Sequence, residues 1–163
     1  MSRSKRPVYQ ERTGWPGWLW VVIWGTLAMG AVAILSSNGA TSFEDRAVGL
    51  IVLLAVGAFL QWVLGGVSVR LFNDRMEVGL GNRMIFRRTI PYEDIQRVEV
   101  RRYHPLKDFG GWGFRIAKGK RAYTTRGDEA VVLSLVDGME IYVGSDHPGR
   151  LRERIATLAG KGT

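Results

Sequence analysis

The stretch AVGLIVLLAVGAFLQWVLGGVSVRLF, residues 47–72, contains the point at which the character of the chain changes. Its first part has no charged residue and is long enough for a helix that crosses a bilayer, which needs about 20 apolar residues. After the Gly65–Gly66 pair, short segments rich in β-branched and aromatic residues follow, separated by turn residues. We therefore predict a membrane helix at about residues 47–69 and a mainly β domain over residues 70–160.

A second apolar run lies upstream, at about residues 15–36, and it also has no charged residue. Together the two runs predict a two-helix transmembrane hairpin over residues 15–69. Residues 1–14 form a basic tail, whereas the segment between the runs contains more acidic than basic residues. Because basic flanks stay in the cytoplasm, we predict a multi-pass protein of the cytoplasmic (inner) membrane with both termini in the cytoplasm.

A cleaved secretory signal is the alternative interpretation of the first run. A basic start and the small residues of Ala31-Val32-Ala33 are typical of such signals. However, this run is longer than a usual signal core, contains four tryptophans and continues beyond the cleavage point. The two interpretations differ in whether the N-terminal residues belong to the mature protein.

The composition excludes several classes of site. The chain has no cysteine, so disulfides, thiolate metal sites and cysteine nucleophiles are excluded. His104 and His147 lie far apart, without the spacing of a metal motif. We predict no metal, cofactor or catalytic residue. The net charge of +8 is compatible with anionic lipid, whereas nucleic acid fits less well because aromatic residues do not alternate with the charges.

The chain ends in a segment that has the pattern of an amphipathic helix. Pro148 suits the first helical turn, and Leu151, Ile155 and Leu158 recur at helical spacing before Gly160. Seven or eight short strands precede this helix. The combination predicts a small β-barrel closed by a C-terminal helix.

The β region also contains a set of short motifs: Ile90-Pro91, Asp94-Ile95, Gly110-Gly111-Trp112-Gly113, Arg115, Ala122-Tyr123, Gly127 and Gly144-Ser145. In these motifs, over about residues 61–158, the chain resembles bacterial pleckstrin-homology-like (PH-like) domains that follow a two-helix membrane hairpin in proteins of uncharacterised function. The resemblance implies a membrane α-helical hairpin followed by a mainly β PH-like barrel with a C-terminal capping helix. It implies no settled reaction.

The segment DFGGWGFR, residues 108–115, is the most distinctive of these motifs. It is not a kinase loop, because the other kinase motifs are missing, and it leads into a strand rather than into the helix of a phosphate-binding loop. Its glycines and tryptophan favour a structural turn, and the alternative is a recognition loop that enters lipid headgroups or contacts a partner. The candidate binding loop consists of Phe109, Gly110, Gly111, Trp112, Gly113 and Arg115.

Three groups of basic residues suggest a second candidate surface. The candidate basic face consists of Arg87, Arg88, Arg101, Arg102, Lys118, Lys120 and Arg121. These charges fit solvated strand edges that resist aggregation, or a surface held against anionic lipid. Ser145-Asp146-His147 has the residue types of a catalytic triad, but consecutive residues cannot adopt that geometry.

The sequence therefore predicts a non-enzymatic protein. The first functional hypothesis is a membrane-anchored PH-like module that mediates protein–protein interaction or assembly, with a protein partner or a second copy of itself. The alternative is binding of anionic lipid headgroups through the basic face and the Trp112 loop. In both cases the lipid bilayer is a partner and nucleic acid is not.

Overall fold

The computed structural model of the chain describes residues 6–36, 42–63, 65–81 and 84–160. The chain forms two units: a helical unit within residues 15–64, and a mainly β unit built from the segments on either side. The helical unit is thus an insertion in the β unit. The first strand of the β unit lies before the insertion, and its other strands follow.

The helical unit contains α1 (Gly17–Ser36) and α2 (Phe43–Val63), which pack on each other. Glycines allow this close approach: a methyl group added at Gly49 would lie 3.1 Å from Ile34, and one at Gly57 would lie 3.0 Å from Leu27. The predicted span of residues 47–69 was wrong at its end. The helix stops before the Gly65–Gly66 pair, and the chain then continues as a strand.

Among the described residues, α1 is the helix that is long and apolar enough to cross a membrane, with a mean hydropathy of 2.0 and no buried residue. A signal sequence near the N-terminus passes the same test of length and composition. The first turn of α2 carries Glu44 and Asp45. One candidate span is therefore supported, and the predicted second crossing does not have this support.

The β unit consists of two sheets and two helices. Its elements, in chain order, are β1 (Tyr9–Thr13), β2 (Val67–Leu71), β3 (Arg75–Leu80), β4 (Ile85–Pro91), β5 (Ile95–Arg102), α3 (Pro105–Phe109), β6 (Gly113–Ala117), β7 (Lys120–Thr124), β8 (Glu129–Leu135), β9 (Glu140–Gly144) and α4 (Pro148–Leu158). The first sheet has the order β1–β2–β3–β4, and the second has the order β5–β8–β9–β7–β6. Neighbouring strands are antiparallel except for the parallel pair β7–β9.

The main hydrophobic core contains inward-facing residues of both sheets together with Leu151 and Ile155 of α4. This helix packs against β5 and β8, as its predicted apolar face requires. In β8, Val131 and Leu133 face the core, whereas Val132 faces a second cluster on the other side of the sheet. Strand β8 is consequently buried on both faces.

The prediction of a closed β-barrel was wrong, because the two sheets do not close into a barrel. The chain passes from the first sheet to the second at Pro91, where a 3-10 turn (Tyr92–Asp94) separates β4 from β5. On the other side of the unit, β4 and β6 are the outer strands of separate sheets. The structure shows a mostly β domain of two sheets with a C-terminal helix.

Strand β1 lies in the segment that was predicted to be a basic tail. It pairs with β2 over its whole length, from Tyr9 opposite Leu71 to Thr13 opposite Val67. Glu11 joins it to the other sheet, because its Oε1 atom accepts hydrogen bonds from the Ser145 hydroxyl at 2.5 Å and from the backbone N–H that follows Ser145 at 3.1 Å. These atoms lie just before α4. The N-terminal segment is therefore part of the β unit.

Candidate functional site

Phe109 of the candidate loop belongs to the interior of the β unit. It ends α3 and is 9% exposed. Its ring makes edge contacts with Tyr142 at 5.0 Å and with Tyr103 at 6.0 Å between centroids. These rings form the centre of the second cluster, which α3 covers on the outer face of the second sheet. Phe109 therefore packs in the interior at the start of the candidate loop, and its ring does not face a ligand.

Trp112 is half-buried and holds two turns together. Its indole Nε1–H donates to the Gly127 carbonyl oxygen at 3.0 Å, which links the candidate loop to the turn between β7 and β8. This contact uses the one hydrogen-bond donor of the indole within the protein. It favours the structural interpretation of Trp112 over the recognition interpretation.

The glycines of the loop meet backbone requirements. Gly110 (φ 69°) ends α3, and its N–H group donates to carbonyl oxygens of Pro105 and Leu106. Gly111 (φ 129°) and Gly113 (φ 108°) also lie in the left-handed region, which other residues rarely adopt. Gly113 then opens β6. The loop thus turns the chain from α3 into β6.

The candidate basic face is not one face in the structure. Arg87 and Arg88 lie on β4 of the first sheet. The Arg101–Arg102 pair lies on β5, at one edge of the second sheet, whereas the remaining three residues lie on β7 and the turn before it. The sequence groups these residues by charge, but the fold distributes them over both sheets.

Five of these seven residues form ion pairs within the β unit. The pairs are Arg87–Glu77 (3.7 Å), Arg88–Asp137 (3.9 Å), Arg101–Glu140 (2.9 Å) with Glu99, Arg102–Glu129 (3.4 Å) with Asp128, and Lys120–Glu140 (3.6 Å). Each pair is weak by itself because it is partly solvated. Together, however, the carboxylates cancel most of the positive charge that the sequence predicted for this surface.

The outer face of the second sheet carries the densest of these networks. Glu140 on β9 lies between Arg101 on β5 and Lys120 on β7, and it accepts a hydrogen bond from the Tyr142 hydroxyl at 3.1 Å. Burial raises the pKa of Glu140, but hydrogen bonds from Arg101 and Tyr142 and the neighbouring positive charges outweigh burial and lower the pKa below its ordinary value. Glu140 therefore stays ionised and ties three strands together.

The outer strand β6 contains Gly113 and Arg115 of the candidate loop, and it presents apolar residues that lie outside that loop. Within the described part of the chain, β6 pairs with β7 on one side and has no strand on the other. Ile116 is 69% exposed, and the neighbouring Phe114 is half-buried against the main core. Phe86 of β4 is 59% exposed and stacks on Phe114, with centroids 5.0 Å apart. We call Phe86, Phe114 and Ile116 the open-side strip.

The backbone is unusual at one end of this strip. Met84 (φ 53°) and Phe86 (φ 55°) both lie in the left-handed region, where a bulky side chain is rare and costs about 1–2 kcal/mol. Gly79 makes room for this conformation, because a methyl group there would lie 2.8 Å from the Met84 Cβ atom. Strain of this kind often marks functional segments.

The described residues contain no group of three or more His, Cys, Asp or Glu side chains placed to hold a metal. A groove of about 430 Å³ beside the start of α4 is lined by Arg102, Arg126, Ser145 and Asp146, among others. Its charges are paired with each other, since Arg126 contacts Asp146 at 2.6 Å.

Comparisons with known proteins give this chain no family. No protein-family model matches it, and the search of curated proteins finds no similar sequence.

Proposed function

We propose that the protein is a membrane-anchored, non-catalytic module whose β unit binds another protein at the cytoplasmic surface. The observation that carries this proposal is the outer strand β6, whose Ile116 side chain is exposed and which, among the described residues, has a neighbouring strand on one side only. Such edges are templates for pairing with another chain, and soluble proteins usually protect them with charge, proline or a covering element.

The connection between the two units supports a hairpin that crosses the membrane twice. Strand β1 precedes α1 and β2 follows α2, and the two strands are paired, with Thr13 opposite Val67. A single crossing would place β1 and β2 on opposite sides of the bilayer. Their pairing requires an even number of crossings, and if α1 crosses, α2 must return.

The same pairing argues against a cleaved signal. Cleavage near Ala33 would remove β1 from its sheet and with it Glu11, which binds Ser145. The surfaces of the helices also suit lipid. Among the described residues, most large apolar side chains that are exposed lie on α1 and α2.

The charge distribution favours a protein partner over lipid headgroups. A lipid-binding face needs several basic residues free to approach the membrane, each contributing about 1 kcal/mol. Here five of the seven candidates are paired with carboxylates of the same unit. A protein surface tolerates such paired charges, because its contacts are short-range and depend on shape.

We retain the PH-like fold and a bacterial membrane setting as parts of this proposal. The two sheets and the helix over their common core agree with that expectation in outline. The parallel pair β7–β9 and the additional strand β1 differ from a simple antiparallel meander.

Impermeant thiol labelling tests the topology, because the chain has no cysteine of its own. Single variants Gln10→Cys on β1 and Thr157→Cys on α4 are exposed positions of the β unit. Both should react only after the membrane is permeabilised, whereas Phe43→Cys at the start of α2 should react from outside. Labelling of Gln10→Cys and Thr157→Cys from opposite sides contradicts the proposal, and so does a mature protein that starts after Ala33.

Site-specific photocrosslinking tests the binding function in the membranes of the expression host. A photoreactive amino acid at Ile116 should form a discrete crosslink to protein, whereas the same group at Val136, which is 57% exposed, should not. Crosslinking of lipid at position 116, together with salt-sensitive binding to anionic vesicles, would support the lipid alternative. Equal crosslinking at both positions would contradict a specific partner.

A further inference from the structure

The chemistry of the β6 edge narrows the class of partner, an inference that rests on the proposed function. In an antiparallel pair, alternate residues direct their N–H and C=O groups toward the neighbouring strand. The groups of β6 that point away from β7 have no neighbouring strand in the described part of the chain. An extended segment placed there would gain backbone hydrogen bonds along the length of Gly113–Ala117.

The side chains beside this edge are basic. The segment from Gly113 to Arg121 contains four basic residues and no acidic one. Within the described residues, Arg115 and Lys118 are outside every ion pair, in contrast to the paired arginines of β4 and β5. A partner segment with carboxylates would neutralise these charges, whereas a basic segment would be repelled.

The open-side strip adds an apolar requirement on one face of the partner segment. Phe114 and Ile116 are two residues apart, so they point to the same side of β6, and Arg115 points to the other side. Phe86 extends the apolar side toward β4 through its stack on Phe114. The strained, exposed Phe86 is thus held where a neighbouring strand would cover it.

A second copy of this strand fits the edge poorly. In a symmetric antiparallel pair of β6 strands, the central residue Arg115 would lie opposite Arg115 of the other copy. Like charges directly opposite each other destabilise such pairs. Charge complementarity therefore favours a different chain.

We propose that β6 binds an extended, acidic segment of a partner protein as an additional strand. Its apolar residues would alternate with carboxylates, so that the former cover the open-side strip and the latter approach Arg115 on the other side, while Lys118 lies in the turn at the end of β6. The segment would extend the second sheet beyond β6, on the side where that sheet does not join β4.

A synthetic peptide of alternating valine and glutamate, long enough to pair with all of β6, tests this proposal. The full chain in detergent micelles should bind the labelled peptide by fluorescence anisotropy, and amide exchange should slow in β6 but not in β5. Ile116→Glu and Arg115→Glu should each weaken binding by about tenfold or more. The matched surface changes Val136→Glu and Arg150→Glu should change it by less than about twofold.

Control peptides separate strand addition from general charge attraction. Replacing each glutamate by lysine should abolish binding, and methylating alternate backbone nitrogens should do so without changing the charge. Absence of binding, equal effects of Ile116→Glu and Val136→Glu, or slowed exchange in β5 would each overturn the proposal. If the chain instead forms concentration-dependent dimers that Ile116→Glu abolishes, and does not bind the peptide, the occupant of the edge is a second copy. That outcome would also overturn the proposal.

The experiments distinguish a failure of the strand-addition proposal from a failure of the proposed function. If the crosslinked partner at position 116 persists while the valine–glutamate peptide does not bind, the module binds protein by other chemistry and only the present proposal fails. Binding of anionic vesicles that is lost in Arg115→Glu, without peptide binding, would assign the edge to lipid and overturn both.

Discussion

The two outer strands of the second sheet differ in how they meet solvent. Strand β5 carries Glu99, Arg101 and Arg102 in ion pairs that reach β8, β9 and the turn before β8. Strand β6 carries one arginine, outside the ion pairs of the described chain, and the exposed Ile116. Paired charges along an edge discourage pairing with another chain, whereas an edge with one arginine outside these ion pairs can pair with a chain that carries carboxylates. One sheet thus has a protected edge and an available edge.

This difference indicates which part of the surface is specialised. The paired charges of β5 and the rest of the candidate basic face stabilise the unit and keep it soluble. The apolar strip near β6 contributes less to stability, because its outer residues remain exposed. An exposed apolar surface that adds little to the core is a better candidate for binding than a surface whose charges are already paired. The open-side strip is therefore the better candidate of the two.

The largest expected effect comes from the buried aromatic cluster that lies between the end of β5 and the loop leading into β6. Phe109→Ala removes a buried ring between Tyr103, which follows β5, and Tyr142. We expect a loss of about 3 kcal/mol in the free energy of unfolding, because the cavity cannot fill completely. Thermal or denaturant unfolding of the full chain in micelles measures it. Leu106→Ala, at an exposed position of the same helix, should cost less than about 0.5 kcal/mol, and an equal loss would contradict burial of Phe109.

A second change should make the protected edge resemble the available one. Glu99→Val creates an apolar run from Val98 to Val100 on β5 and leaves Arg101 its bond to Glu140. Self-association should become about tenfold tighter, or about 1.4 kcal/mol, as measured by analytical ultracentrifugation. Glu93→Val, in the turn before β5, serves as the matched control. Unchanged association of Glu99→Val would show that its charge does not protect the edge.

A smaller effect tests the loop that leads into β6. Trp112→Phe keeps the ring and removes the bond to the Gly127 carbonyl oxygen. The expected loss of stability is about 1 kcal/mol, with peptide binding at β6 retained within about twofold. Normal stability together with lost binding would instead assign Trp112 to recognition.

The smallest effect concerns the pH dependence of the charged network. The folded-state pKa of Glu140 is lowered, so its contribution to stability is present above the ordinary carboxyl pKa of 4.5 and is lost as the pH falls through the lowered value. Glu140→Gln should therefore reduce the melting temperature at pH 7 and converge with the natural protein in acid. Glu153→Gln, on the exposed face of α4, should show no such convergence. A Glu140→Gln deficit that grows in acid would contradict this sign.

The sequence predicted those elements whose pattern is local. Apolar length marked α1, the spacing of Leu151 and Ile155 marked α4, and turn residues separated the short strands. It did not predict β1, because Glu11 and Thr13 lie in a polar segment whose strand forms only when β2 and the residues before α4 are beside it. The closed barrel was wrong for the same reason, since closure depends on distant strands.

The candidate surfaces show the same division. The sequence by itself determined the inventory: the charges, the glycines that can adopt positive φ, the apolar segments and the absence of cysteine. Only the tertiary structure decided which arginines face carboxylates, that Phe109 is interior, and that Ile116 lies on an outer strand. The physical reason is that ion pairs and strand edges depend on which distant residues become neighbours, whereas helical periodicity and turn chemistry depend on residues a few positions apart.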